Sequence, residues 1–199
     1  MRGKTAWVAV VIGVIVMTAP CSALAQAAKD TVQTEVNKIV ATIKASGFKE
    51  QPREKQISDI RHIINAIFDY SELSRRTLGK GWKKFSADQQ AEFIALFSEL
   101  LENTYADRIL AYTDEKIDFG DELALKKNRV EVKSAIITQD NKSVPLNYRM
   151  IQKNGNWRVY DVVIEGISLV QNYRSQFREI LAQKSPQDLI ETLKEKVKK

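Results

Sequence analysis

Residues 157–181 read WRVYDVVIEGISLVQNYRSQFREIL, and this run constrains the fold more than any other. Residues 157–164 are rich in aromatic and β-branched side chains, which suit a pleated, half-buried strand. Glu165-Gly166 breaks the pattern, because glycine accepts backbone angles that other residues resist. Ser168 follows, with Gln171 three residues on. That spacing is a capping box: the hydroxyl accepts a free backbone N–H at the helix start, and the amide reaches back to the cap. Leu169, Val170, Tyr173, Phe177, Ile180 and Leu181 then recur at helical spacing. A strand therefore runs directly into a helix with one apolar face, and the shortest way to cover that face is against the sheet it leaves.

The first 25 residues carry the marks of a secretory signal peptide. Arg2 and Lys4 give a positive start, residues 6–17 are apolar, and Ala23-Leu24-Ala25 offers small residues where signal peptidase reads. We expect cleavage after Ala25 and a periplasmic protein. The apolar run is short for a membrane span. Pro20 stands before the single cysteine, Cys21, where a lipoprotein signal needs a small residue. The remainder then has no cysteine, so thiol chemistry and cysteine metal sites are excluded. The formal charge of +6 includes Arg2 and Lys4, which leaves the mature chain mildly basic and gives no reason to expect nucleic acid. With 44% apolar residues, residues 26–199 suffice for one domain with its own core.

Along that domain, residues 26–112 read as mainly helical. Val32, Val36, Ile39, Val40 and Ile43 form one stripe, and Ile57, Ile60, Ile63, Ile64, Ile67 and Phe68 form a second, opened by Pro52. A short helix over 70–77 ends at Leu78-Gly79. Ser86 and Gln89 form a second capping box, opening a long helix striped by Phe93, Leu96, Phe97, Leu100, Leu101 and Thr104, with Tyr105, Ile109 and Tyr112 on a neighbouring face. The loop between holds Trp82 beside Lys80, Lys83 and Lys84. It reads either as a surface for head groups or a partner, or as a basic loop with its indole tucked inward. Residues 113–166 read as a sheet of about four antiparallel strands, 116–119, 129–138, 144–152 and 157–164, with Asn154-Gly155 as a hairpin turn. Residues 167–199 return to helix, with Ser185-Pro186 opening the last one. Helices first and strands second make the fold α+β, a helical layer on a curved antiparallel sheet.

No enzymatic constellation is present. The one histidine, His62, lies inside a helix, and no phosphate loop, nucleophile elbow or metal motif occurs. Asp161 and Glu165 point the same way on an extended segment but lie roughly 13 Å apart, which suits neither kind of glycosidase pair. A structural role for Asp161, opposite Arg174 or Arg178, fits better. Ser168 has no base nearby and reads as a cap. We expect no catalytic residues, no metal and no cofactor.

Three runs carry a family resemblance: FDYSELSRRTLGKGWKKFSADQQAEFIALFSELLENTYADRILAY, VPLNYRMIQKNGNWRVYD and YDVVIEGISLVQNYRSQF. In this order they resemble the MlaC family, also called the toluene-tolerance or Ttg2 family, of periplasmic phospholipid carriers. The resemblance implies a monomer that carries glycerophospholipid as cargo, with its acyl chains buried and its head group near the surface. It also implies a sheet half like the cone of nuclear transport factor-like proteins. The implied partners are an inner-membrane ABC transporter with its substrate-binding ring and an outer-membrane lipoprotein–porin complex. The implied role is lipid traffic that maintains outer-membrane asymmetry. On the inferred inner faces, Phe93, Phe97, Leu100, Leu101, Tyr105, Tyr148, Met150, Val162, Ile164, Leu169, Val170 and Tyr173 are the expected lipid-lining residues. Stripes of Phe and Leu fill ordinary cores as readily as they line pockets. A small hydrolase or isomerase on the same cone fold is one rival, disfavoured by the missing constellation. An envelope interaction module that supports an ABC transporter without carrying lipid is the other.

Overall fold

The computed structural model describes residues 21–198, with side chains from Ala28 onward. Most of the expected signal peptide therefore lies outside the described residues, and Cys21–Ala25 fall in the first turns of a helix. Four helices come first: α1 (Cys21–Lys44), α2 (Arg53–Ile67), α3 (Tyr70–Leu78) and α4 (Ala87–Leu110), with a 3-10 turn over Gly79–Lys84. Strands β1 (Lys116–Lys126), β2 (Arg129–Ile137), β3 (Ser143–Lys153), β4 (Asn156–Ile164) and β5 (Ile167–Ser168) follow, then α5 (Leu169–Gln183) and α6 (Pro186–Val197).

The helix starts follow from local chemistry. At α4 the Ser86 hydroxyl accepts from the Gln89 N–H and the Gln89 amide oxygen accepts from the Ser86 N–H, so both arms of the box form. Ser185 and Asp188 make the same reciprocal pair before α6, with Pro186 at its first turn. Gly79 ends α3 at a φ of 55°, a conformation that side chains rarely adopt.

The sheet is an antiparallel meander in the order β1-β2-β3-β4-β5. Asn154 and Gly155 both have positive φ, as a tight hairpin turn with the right twist requires. Glu165 and Gly166 do the same between β4 and β5, so Glu165 belongs to a turn and does not extend the strand that holds Asp161. β1 runs well past its expected end at Phe119. A register shift between Phe119 and Glu122 interrupts the alternation there, which hides the second half of the strand in the sequence. The fifth strand, only two residues long, is also additional to the four expected.

Apart from a small cluster of Ile43, Phe48 and Ile60 at the C-terminal end of α1, the interior divides in two. One cluster lies among helices: Leu73 of α3, Phe93, Phe97, Leu100 and Leu101 of α4, Val170, Tyr173 and Phe177 of α5, and Leu189, Ile190 and Leu193 of α6. The other lies between the inner face of the sheet and the first two helices, with Ala28 and Val32 of α1 and Ile67 of α2 over Val130, Val132, Tyr148, Met150, Trp157, Val159 and Val162. The apolar face of α5 therefore buries mainly against helices. Only its first residue, Leu169, joins the sheet cluster, and α1 and α2 cover the sheet instead.

Candidate functional site

Strand pairing fixes which side chains face inward. Val132 pairs with Tyr148 and Tyr148 with Val162, while Val130 pairs with Met150 and Met150 with Val159. The step from Tyr148–Val162 to Met150–Val159 is two residues on β3 and three on β4. A bulge at Tyr160–Asp161 takes up the difference. It puts Trp157, Val159, Val162 and Ile164 on one face and leaves Asp161 and Val163, both buried, on the other. Two buried neighbours, Val162 and Val163, thus point to opposite sides of a strand covered on both.

The expected lining residues fall in both halves of the interior. Phe93, Phe97, Leu100, Leu101, Val170 and Tyr173 belong to the helical cluster. Tyr148, Met150, Val162 and Leu169 belong to the sheet cluster, and Ile164 packs against it. Tyr105 packs against both, as does Phe68, so these two rings mark the seam. Residues not anticipated from the sequence include Trp157 and Val159, whose facing depends on the bulge, and Val32 and Ile67, whose helices cover the sheet.

The helical half is aromatic. Phe97 meets the Tyr173 and Phe177 rings edge-on at 5.0 and 5.3 Å between centroids, and Phe93 meets Phe177 at 5.6 Å. Such pairs add about 0.5–1.5 kcal/mol each beyond their buried area. On the sheet side Phe119 stacks on Tyr148 at 6.4 Å. Burial pushes the Tyr148 hydroxyl above its usual range, so it stays neutral. Two clefts lie at the surface. One, of about 420 Å³, is lined by Phe68, Asp69, Tyr70, Ser71, Lys153, Asn154, Asn156 and Arg158 at the hairpin end of the sheet. The other, of about 530 Å³, follows α1 and is lined by Ile43, Lys44, Gly47, Tyr112 and Asp114 among others.

The opposite face of the sheet carries a charged brace. Arg149 donates to Glu131 at 2.8 Å and to Asp161 at 3.1 Å, and Lys133 also pairs with Glu131. Asp161 accepts from the Ser168 hydroxyl at 2.6 Å and from the Val170 N–H at 3.0 Å, while Ser168 accepts from the Gln171 N–H. The structural role expected for Asp161 holds, with Arg149 as its partner; Arg174 instead donates to the Arg76 carbonyl. Burial would raise the Glu131 carboxyl, but the hydrogen bonds from Lys133 and Arg149 override it and hold the group below its ordinary 4.5. A carboxyl depressed by folding stabilises the fold above its unfolded pKa and loses that contribution as pH falls through the folded one. Glu131→Gln is therefore expected to cost about 1–3 kcal/mol at pH 7. The gap to the unmodified protein should close below pH 4.5 in paired urea melts, and a gap independent of pH would contradict this.

The described residues contain no cluster of three or more His, Cys, Asp or Glu able to hold a metal, and no helix long and apolar enough to cross a membrane. His62 is exposed on α2. Trp82 is half-buried and packs against the helical cluster, with Lys80, Lys83 and Lys84 exposed around it.

Comparison with known proteins gives the arrangement its context. The chain is 29% identical over 147 residues to the intermembrane phospholipid transport system binding protein MlaC of Haemophilus influenzae, covering 70% of this chain and 68% of that protein. It is 23% identical over 171 residues to the toluene tolerance protein Ttg2D of Pseudomonas putida, covering 85% and 79%. Its fold matches a phospholipid-binding protein from Ralstonia solanacearum, solved in complex with a phospholipid, with a TM-score of 0.78 and 25% identity over 85% of this chain and 96% of that one. The model of the MlaC protein family matches residues 33–195, nearly the whole described chain, and the chain belongs to that family.

Proposed function

We propose that the protein is a periplasmic phospholipid carrier, exported by a signal peptide cleaved after Ala25. The observation that carries this reading is the match to a relative whose solved structure holds a phospholipid, which extends over 96% of that relative. The two-part apolar interior supports it. A diacyl lipid exposes on the order of 30 methylenes, and at ~0.8 kcal/mol each their exposure to water costs roughly 20–25 kcal/mol. The lipid crosses an aqueous space only with those chains covered.

In this reading the acyl chains lie between the helical and sheet clusters, along the seam of Tyr105 and Phe68, against the twelve residues expected from the sequence together with Trp157 and Val159. Side chains fill that interior, so the helices and the sheet part to admit the chains. The carrier performs no bond-making step. It exchanges lipid with an inner-membrane ABC transporter and an outer-membrane complex, and so acts in keeping the outer membrane asymmetric.

The test is transfer. Protein mixed with vesicles of labelled phosphatidylethanolamine and phosphatidylglycerol, then separated by flotation, is expected to retain labelled lipid at one or two molecules per chain. Protein that stays folded and lipid-free after prolonged mixing would contradict the carrier reading and favour the interaction module.

A further inference from the structure

Within the sheet cluster, the Trp157 indole nitrogen is a buried polar atom without a hydrogen-bond partner. Trp157 is only 4% exposed, and its indole Nε1–H is buried with no protein acceptor in reach. A buried donor left unpaired costs about 1–3 kcal/mol, and native structures keep few of them. Phenylalanine would fill the same wall without that cost. The ring packs within the cluster that contains Val32, Ile67, Met150 and Val159. Its neighbours in that cluster are apolar, and a charged acceptor among them costs more to bury than a neutral carbonyl.

The position in the fold narrows the acceptor further. Trp157 stands at the start of β4, directly after the Asn154-Gly155 turn, and its chain neighbours Asn156 and Arg158 line the polar cleft at that end of the sheet. Its ring faces the apolar side while Asn156 and Arg158 point to the other, so the indole lies in the apolar interior one strand position from that polar rim. In a diacyl lipid with buried chains and an exposed head, that boundary is occupied by the glycerol esters. We propose that Trp157 is a lipid-contacting residue whose indole N–H donates to an acyl-ester carbonyl, which makes the carrier selective for ester-linked over ether-linked phospholipids. This rests on the carrier reading.

The experiment compares a diester phospholipid with its diether analogue, matched in head group and chain length, by competitive loading from vesicles. The protein is expected to bind the diester about 2- to 10-fold more tightly, the range one neutral hydrogen bond supplies. Trp157→Phe is expected to lose that preference and bind both at the diether level while remaining folded. In ¹H–¹⁵N spectra, the indole resonance missing from Trp157→Phe should shift downfield on loading the diester and not on loading the diether. Equal binding of the two lipids with an unmoved indole resonance would overturn the proposal while sparing the carrier reading. So would a Trp157→Phe protein that keeps the preference. Binding of neither lipid would overturn both. Should the variant fail to fold, the comparison on the unmodified protein still decides.

Discussion

Tyr105→Glu is expected to abolish phospholipid retention at neutral pH while leaving a folded protein. Tyr105 is partly exposed and touches both apolar clusters, so a charge there enters the seam where the chains are proposed to lie. A glutamate facing acyl chains at pH 7 must take up a proton, which costs about 4 kcal/mol from a normal pKa near 4.3, or roughly 500-fold in affinity. Alternatively it swings outward. Arg108, whose guanidinium lies 5.9 Å from the Tyr105 ring, can then receive it. That route spares the fold but leaves the seam without the ring. Tyr105→Phe keeps the ring and is expected to retain lipid as the unmodified protein does. Lipid retained by a folded Tyr105→Glu protein, quantified by phosphorus assay, would remove Tyr105 from the lining.

The second large effect concerns stability. Asp161 is 2% exposed and accepts from Arg149, from the Ser168 hydroxyl and from the Val170 N–H. One carboxylate thus ties β3 to β4 and holds the first turn of α5. Asp161→Ala strands the Val170 N–H, frees Ser168 and leaves Arg149 with Glu131 alone. Removing one partner of a buried ion pair costs about 3–5 kcal/mol, a large part of the 5–15 kcal/mol that holds a typical domain together. Urea unfolding should show a midpoint lowered in that proportion with an unchanged slope. A loss below about 1 kcal/mol would mean that the brace contributes little net stability.

The contrast between what could and could not be read from the sequence follows from the range of the interactions. Ser86–Gln89, Ser185-Pro186 and Asn154-Gly155 act over three residues or fewer, and each helix start and hairpin they imply is present. The end of β1 and the facing of β4 depend on bulges, at Gly120–Asp121 and Tyr160–Asp161, that arise only when strands pair. For that reason Val162 and Val163 were ambiguous in sequence, and Trp157 and Val159 were not anticipated. The stripe of α5 is plain in the sequence, but its partner is not. A helix records which face is apolar and not which element covers it. Twelve candidate residues could be chosen as apolar and inward, yet their division between two clusters is a fact of tertiary packing.

Lipid content is the most direct measure of the central claim. The protein, purified from the periplasm without detergent, would be extracted with organic solvent and also examined by native mass spectrometry. The carrier account predicts glycerophospholipid at one or two molecules per chain, lost together with the fold on denaturation. A protein that is folded, free of lipid and unable to gain it from vesicles would contradict the account, and its two apolar clusters would then be ordinary core.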